Sequence, residues 1–298
     1  MKITRTILPL AVGIVFTFSM CDYIVIPNDV DTAATSTFDT TKRVALVEEW
    51  TGHVCTNCPD AARAIELLKS TYGQNFISIS IHDDFFATPC NGAPGSPGLP
   101  PCAANAPGAF LLDFRCPTGA SYSAYHPDAP QGPPTGMVNR LGMPSQTELR
   151  QYTAWASVVD SLVQEDACTS IHIDHTYNTS TRQLGVTAWG TWLQAYTGDV
   201  RVAIMLTESG MVGWQLDDQD CNPDFVFHDV LRECINTPGS IAGITADTGT
   251  STIGTTWSYF LPTAYTLPAT YDANNCQLVA IFYDATTGEV LQAWEEEL

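Results

Sequence analysis

The sequence predicts a two-part fold, an α/β domain followed by an all-β domain, and three observations carry that expectation. Helical and strand patterns alternate from residue 43 to about 166, as a sheet covered by helices requires. From residue 169 onward, apolar residues alternate with polar ones in short runs separated by turn residues, with no helical period. In the first part a Cys-x-x-Cys motif, Cys55-Thr56-Asn57-Cys58, stands between an apolar run and a helical stripe.

Val44, Ala45, Leu46 and Val47 form a short apolar run, the mark of a strand buried on both faces. After a turn at Thr51-Gly52 and the cysteine motif, Ala62, Ile65, Leu68 and Tyr72 recur at helical spacing, and Gly73 ends the helix. Residues 76–82 alternate, with Ile77, Ile79 and Ile81 on one face, as in a second strand. Residues 85–130 form a long insertion rich in Pro, Gly and Ala that holds Cys90, Cys102 and Cys116; its segment 109–125 has helical character. Gly132-Pro133-Pro134-Thr135 then leads into a strand at Met137-Val138. A capping box of Ser145 with Glu148 opens another helix, with Leu149, Tyr152, Ala156, Val159 and Leu162 as its buried stripe. In the second part about seven runs alternate, beginning with Ile171 and Ile173 and ending near Val290 and Trp294. Seven short strands with turns between them predict an immunoglobulin-like antiparallel sandwich over 167–298, after an α/β domain over 42–166.

The N-terminus reads as an export signal. Lys2 and Arg5 precede an apolar run over 7–18 that is too short to span a bilayer, so 1–20 is a signal peptide. Phe18-Ser19-Met20-Cys21 resembles the lipobox of bacterial lipoproteins, which implies that Cys21 carries the lipid. Met20 departs from the small residue usual there, and an ordinary signal peptide with an incidental cysteine is the other reading. Residues 21–41, rich in Asp and Thr, form a flexible tether. No later segment is apolar over a spanning length, so membrane contact is expected through the anchor alone.

Charge narrows the partners. The chain of 298 residues carries 12 Lys and Arg against 32 Asp and Glu, a formal charge of −20. Such a surface repels phosphate backbones, which excludes nucleic acid. Asp217, Asp218, Asp220 and Asp224 share one loop without the glycine and glutamate pattern of an EF-hand, so they read as a solvated acidic loop and no metal site is expected. No cofactor motif is present, since the sequence has no phosphate-cradling glycine loop, no Ser-His-Asp framework and no glycosidase-like acid pair.

Ten cysteines in an exported chain imply disulfides. Cys221 and Cys234 flank a short run and are expected to pair. Cys168 with Cys276 is the next couple, which leaves one bridge and one spare thiol among Cys90, Cys102 and Cys116.

Strand, Cys-x-x-Cys, helix, strand, then Pro134-Thr135 before another strand: this order resembles the thioredoxin fold. The resemblance implies a cis peptide at Pro134 beside Cys55 and Cys58, and a buried acid that relays protons to the second cysteine. Glu49 and Glu48 stand six and seven positions before Cys55, and either fits that role. A helix N-terminus stabilises a thiolate, so Cys55 would attack a partner disulfide and Cys58 would resolve the mixed intermediate. The usual Trp-Cys-Gly-Pro-Cys is absent; Val54 precedes Cys55, and Thr56-Asn57 fill the spacer.

A wider resemblance rests on Val47-Glu48-Glu49-Trp50-Thr51-Gly52 followed by Cys55-x-x-Cys58-Pro59, Val138-Asn139-Arg140, the run 227–232 (Phe-His-Asp-Val-Leu-Arg) and Glu289-Val290-Leu291-Gln292-Ala293. These resemble the family of bacterial lipoproteins named for a twenty-eight-kilodalton outer membrane protein. The resemblance implies an extracytoplasmic outer-membrane address, facing the periplasm or the cell surface, and a thioredoxin-like domain joined to a β-sandwich. It does not extend to the cysteine-rich insertion.

Thiol–disulfide exchange with exported or surface proteins is the leading functional expectation. A non-catalytic surface binding module, with Cys55–Cys58 as a structural disulfide, is the alternative. A third reading is soft-metal (copper) binding at the pair, assisted by His53 or His82. His228 and Arg232 read as sheet residues rather than catalytic ones.

Overall fold

β1 (Ala45–Thr51) is the strand that the apolar run predicts, and all of it except Thr51 is buried. The structure is a computed structural model that describes residues 41–126, 129, 132–142 and 149–298. The expected signal peptide, the lipid-site cysteine Cys21, all of the expected tether but Thr41, and the capping pair Ser145 and Glu148 lie outside the described residues.

Alternation along β1 sorts its side chains onto two faces. Ala45 and Val47 meet Ala61, Ile65 and Leu68 of α1 (Cys58–Tyr72). Leu46 and Trp50 share the other face with Ile77, Ile79 and Ile81 of β2 (Phe76–His82), which runs parallel to β1. Burying each such isoleucine contributes about 1.5–3 kcal/mol. α1 begins with Pro59 in its first turn, and Gly73 stops it at φ 54°, a left-handed conformation that suits glycine.

The segment 109–125 is helical only over α2 (Pro117–Tyr125), because Pro117 opens the helix and its ring cannot continue one from behind. Tyr122 of α2 covers the Leu46 and Trp50 face. β3 (Thr135–Val138) lies antiparallel to β1 and is followed by the short β4 (Arg150–Gln151). α3 (Trp155–Leu162) joins α1 on the opposite face through Trp155, Val159 and Leu162. Leu149 and Tyr152, expected in that helix, precede it: Leu149 lies just before β4 and Tyr152 in a tight turn after it.

The remaining strands are β5 (His172–Asn178), β6 (Gln183–Thr191), β7 (Tyr196–Thr197), β8 (Val200–Glu208), β9 (Met211–Asp217), β10 (Asp220–Phe227) and β11 (Val230–Cys234). They are followed by β12 (Ile244–Asp247), β13 (Thr250–Ser251), β14 (Thr256–Phe260), β15 (Tyr265–Thr266), β16 (Cys276–Asp284) and β17 (Val290–Glu297). Four of them extend the first sheet, in the order β17-β16-β8-β11-β2-β1-β3-β4, and β12 adds to β8 to make nine strands. β5, β6, β14 and β15 form a separate four-stranded antiparallel sheet. Its Leu184, Val186 and Ala188 share a core with Val202, Ile204, Leu278 and Ala280 of β8 and β16. β9 pairs with β10, and β7 with β13, in two further two-stranded sheets. The architecture is thus a mixed sheet in which β2 runs parallel to both β1 and β11 at the centre, with helices on both faces of one half and antiparallel sheets packed around the other. All described residues belong to one compact unit.

The segments behind the sequence resemblance knit the two halves of the large sheet together. Asn139 is fully buried; its Oδ1 accepts from Leu46 N at 2.6 Å, and its Nδ2 donates to Val44 O and Val290 O. The Gln292 side chain bonds Val44 N and Lys42 O. Ser80 N donates to Asp229 O at 2.8 Å, and the Asp229 carboxylate accepts from Lys69 at 2.5 Å and from Ser78.

Candidate functional site

Cys55 and Cys58 form a disulfide. The loop that holds them is fixed by Val54 N donating to Phe86 O and Cys55 N donating to Gly52 O, both at 3.1 Å. Gly52 is obligatory there, since a Cβ would stand 2.4 Å from the Phe86 backbone. α1 starts at Cys58, not at Cys55, so the second cysteine takes the helix N-terminus. The spacer residues Thr56 and Asn57 are exposed, whereas each cysteine is only 3% exposed. Pro134 follows a cis peptide bond, and the Pro133 carbonyl oxygen lies 3.5 Å from Cys55 Sγ.

The β9–β10 hairpin, from the second half of the chain, covers this loop. Gln215 Nε2 donates to Gly52 O at 3.2 Å and to Cys55 O at 3.1 Å. Leu216 N donates to His53 O, and Asp218 N to Thr56 O. At the hairpin tip Arg63 of α1 bridges Asp60 and Asp217. Nothing in the local sequence around Gln215 signals this role, because its partners lie about 160 residues away.

The two glutamates separate by strand alternation. Glu48, completely buried, points to the α2 face, where it accepts from Arg140 Nε at 2.7 Å and Nη2 at 2.6 Å and from the Tyr122 hydroxyl. Glu49 points to the α1 face and lines a cavity of about 290 Å³ together with Cys58, Pro59, Ile65, Ser80, His82, Phe227 and Asp229. One oxygen of Glu49 accepts from Ser80 Oγ at 3.0 Å, and the other meets no hydrogen-bond partner. Burial raises the Glu49 carboxyl to about 8; the Ser80 bond and Lys69 oppose the rise and Asp229 adds to it. At neutral pH Glu49 is a carboxylic acid.

The histidines do not complete a metal site. His53 is buried, bonds Thr88 O at 3.2 Å, and is pushed down to about 4 chiefly by desolvation. His82 is 2% exposed and packs against Phe114 and Phe227. Desolvation takes it to about 3, against a small opposing effect of the Ser80 backbone, and neither ring nitrogen meets a partner at hydrogen-bonding geometry. Among the described residues no group of three or more His, Cys, Asp or Glu side chains could hold a metal ion, the acidic loop included. His228 is exposed at the cavity mouth. Arg232 pairs with Glu208 at 2.8 Å and lies over Phe114 and Tyr271.

The other disulfides differ from the expected set. Cys221 bonds Cys102, and Cys234, Cys168, Cys276, Cys90 and Cys116 are free thiols. Cys221 does not meet Cys234 because β10 folds back on β9, while β11 runs on into the large sheet and buries Cys234 opposite Met205. Cys168 lies near Glu289, beyond one end of β16, and Cys276 begins the other end, so the nine residues of that strand separate them. The insertion therefore contributes one cysteine to a bridge that ties it to the hairpin. Burial pushes the thiols of Cys116 and Cys168 up to about 11 and that of Cys276 to about 12, which makes them poor nucleophiles.

Fold and site together define an α/β protein with a buried dicysteine centre, set in a mixed sheet that a β-rich half completes. The sequence matches the family model "Outer membrane protein Omp28" over residues 120–297, more than half of its length, and the chain belongs to that family. Its address is accordingly the outer membrane, outside the cytoplasm. The matched segment begins after the cysteine pair, so membership by itself assigns that pair no role.

Among solved structures, HBP35 of Porphyromonas gingivalis shares the fold with a TM-score of 0.58 at 13% identity, over 86% of this chain and 76% of that one. A protein of Agrobacterium tumefaciens aligns over 85% of this chain and 94% of that one, with 12% identity and a TM-score of 0.43. A domain of the outer membrane lipoprotein Omp28 from Porphyromonas gingivalis aligns over 44% of this chain and 88% of that domain, with 22% identity and a TM-score of 0.28. A search of curated proteins finds no match.

Proposed function

We propose that this chain is a thioredoxin-like thiol–disulfide exchange protein of the outer membrane, completed by an immunoglobulin-like sandwich and held to the membrane by lipid on Cys21. The observation that carries this reading is the placement of Glu49, buried on the wall of the same cavity as Cys58, where desolvation raises its carboxyl to about 8. A carboxyl that titrates near 8 can give a proton to a departing thiolate and take one from an incoming thiol near neutral pH. The order β1, cysteine pair, α1, β2, and Pro134 ahead of β3 close to Cys55, also support it. Glu48 is assigned a structural role, since Arg140 and Tyr122 take both its oxygens. The redox partners are extracytoplasmic thiols and disulfides, exported and surface proteins among them.

One observation favours a second reading, a binding module with a structural disulfide: both sulfurs are nearly sealed beneath the β9–β10 hairpin. Catalysis separates the two readings. Purified protein should accelerate transfer of reducing equivalents from dithiothreitol to a model disulfide, and Glu49→Gln should slow that transfer at least tenfold. Equal rates for wild type and for the double variant Cys55→Ser, Cys58→Ser would leave the structural reading in place.

A further inference from the structure

A second cavity, of about 400 Å³, lies between the end of α2, the start of β8, the loop before β12 and the β16–β17 turn. It shares no lining residue with the cavity beside Cys58, and its described lining residues include neither Asp nor Glu.

The polar groups of this cavity are arranged to donate. Arg201 gives one hydrogen, through Nη1, to Ala242 O at 2.7 Å, and the Tyr283 hydroxyl donates to the same carbonyl. The Ser121 hydroxyl accepts from Ile241 N at 3.4 Å, and the Ser240 hydroxyl from Ala242 N at 3.1 Å. With their oxygens engaged by backbone N–H groups, both serines still have an O–H hydrogen to give. An arginine side chain only donates, and Arg201 spends one of its hydrogens on Ala242. The short segment 240–242 thus holds Arg201, Ser121 and Ser240 side by side, each with donors to spare.

Charge narrows the guest further. Arg43, Arg63, Arg115, Arg140 and Arg232 each meet a carboxylate. Half-buried Arg201 meets none among the described residues, in a chain whose formal charge is −20. Arg140 also lines the cavity, but Glu48 already matches its charge. Acids of the adjoining segments are held elsewhere. Glu233 accepts from Thr118 Oγ1 and Gly239 N, and Asp284 from the Tyr196 hydroxyl and the Thr286 and Thr287 backbone. The fixed charge of the cavity is therefore one arginine without its counter-ion. A carboxylate matches it in charge and in the planar geometry of the guanidinium fork. A dianion would bring a second charge that no arginine there balances, into the field of a chain that repels it.

We propose that this cavity binds a small organic monocarboxylate. The carboxylate meets the Arg201 guanidinium and the Ser121 and Ser240 hydroxyls. The apolar body of the guest packs against Ile241, Ala285 and the ring of Tyr125, which is 54% exposed at the cavity wall. Neither Cys55 nor Cys58 takes part, so the site is independent of thiol–disulfide exchange.

The test is a calorimetric titration of the oxidised protein at low salt with 3-phenylpropionate, 3-phenylpropanamide and inorganic phosphate. The acid should bind one to one with a Kd below about 1 mM, and the amide and phosphate at least tenfold more weakly. Arg201→Gln should weaken binding of the acid at least tenfold. Ala285→Trp, which fills the cavity from an exposed position and leaves the arginine in place, should do the same. Equal affinity for acid and amide, tighter binding of phosphate than of the acid, or wild-type affinity in either variant would overturn the proposal. So would the absence of saturable binding of the acid up to about 10 mM.

Discussion

Replacing Glu49 by Gln should stabilise the protein in alkaline solution and do little in acid. In the folded chain the carboxyl titrates near 8 instead of its ordinary 4.5, chiefly because burial penalises the charge. Between those two pH values the folded state holds a proton that the unfolded state has released. Stability from this group is therefore fully present below about 4.5, falls as pH rises, and is lost above about 8. At about 1.4 kcal/mol per pH unit the whole displacement comes to about 5 kcal/mol, an upper figure because water penetration on opening relaxes the penalty. Glutamine keeps the shape and can still accept from Ser80 Oγ, but it does not ionise. Asp229, Lys69 and His82 surround the position in both proteins, so their own titration largely cancels in the difference. Urea unfolding of the oxidised proteins at pH 5, 7 and 9 should give a difference below about 1 kcal/mol at pH 5, growing to several kcal/mol in favour of Glu49→Gln at pH 9. A difference that stays constant with pH would refute the placement of an un-ionised carboxyl beside Cys58.

Two other perturbations test the scaffold. Arg140→Met strips Glu48 of both its ionic hydrogen bonds at zero exposure and should cost about 3–5 kcal/mol in urea unfolding, most of it recovered by adding Glu48→Leu. Cys102→Ser opens a bridge between residues 119 apart and should cost about 3–5 kcal/mol. The same variant should make Cys55 react faster with iodoacetamide after reduction, since the hairpin loses its tether to the insertion; an unchanged rate would mean that the bridge does not hold the hairpin over the pair.

The first half of the fold was legible because its signals are local. The apolar run of β1, the alternation of Ile77, Ile79 and Ile81, and the stripe of Ile65 and Leu68 each report on neighbours in sequence, and each element lies where its pattern puts it. The period of a strand says nothing about its partner. The runs at 200–208, 276–284 and 290–297 read as members of a separate sandwich, yet they extend the sheet of the first half. Only long-range contacts, such as Asn139 with Val290 and Ser80 with Asp229, bring about that continuity. The same limit explains Cys221, whose partner Cys102 lies across the fold, and Gln215, whose amide crosses to the cysteine loop. The sequence reading left Glu48 and Glu49 as equal candidates, and in the structure the alternation of β1 turns them to opposite faces. Which face carries α1 and the pair depended on packing, and packing chose Glu49.

The reduction potential of the Cys55–Cys58 pair tests the central claim most directly. The protein, oxidised at this pair, would be equilibrated in graded thiol–disulfide buffers, quenched with an alkylating agent, and the fraction reduced read from peptides containing both cysteines. An exchange centre gives a midpoint between about −270 and −120 mV, the range in which thioredoxin-like exchangers work. A midpoint below about −300 mV, with the pair still closed where such exchangers are fully reduced, would make the disulfide a structural bolt and contradict the account.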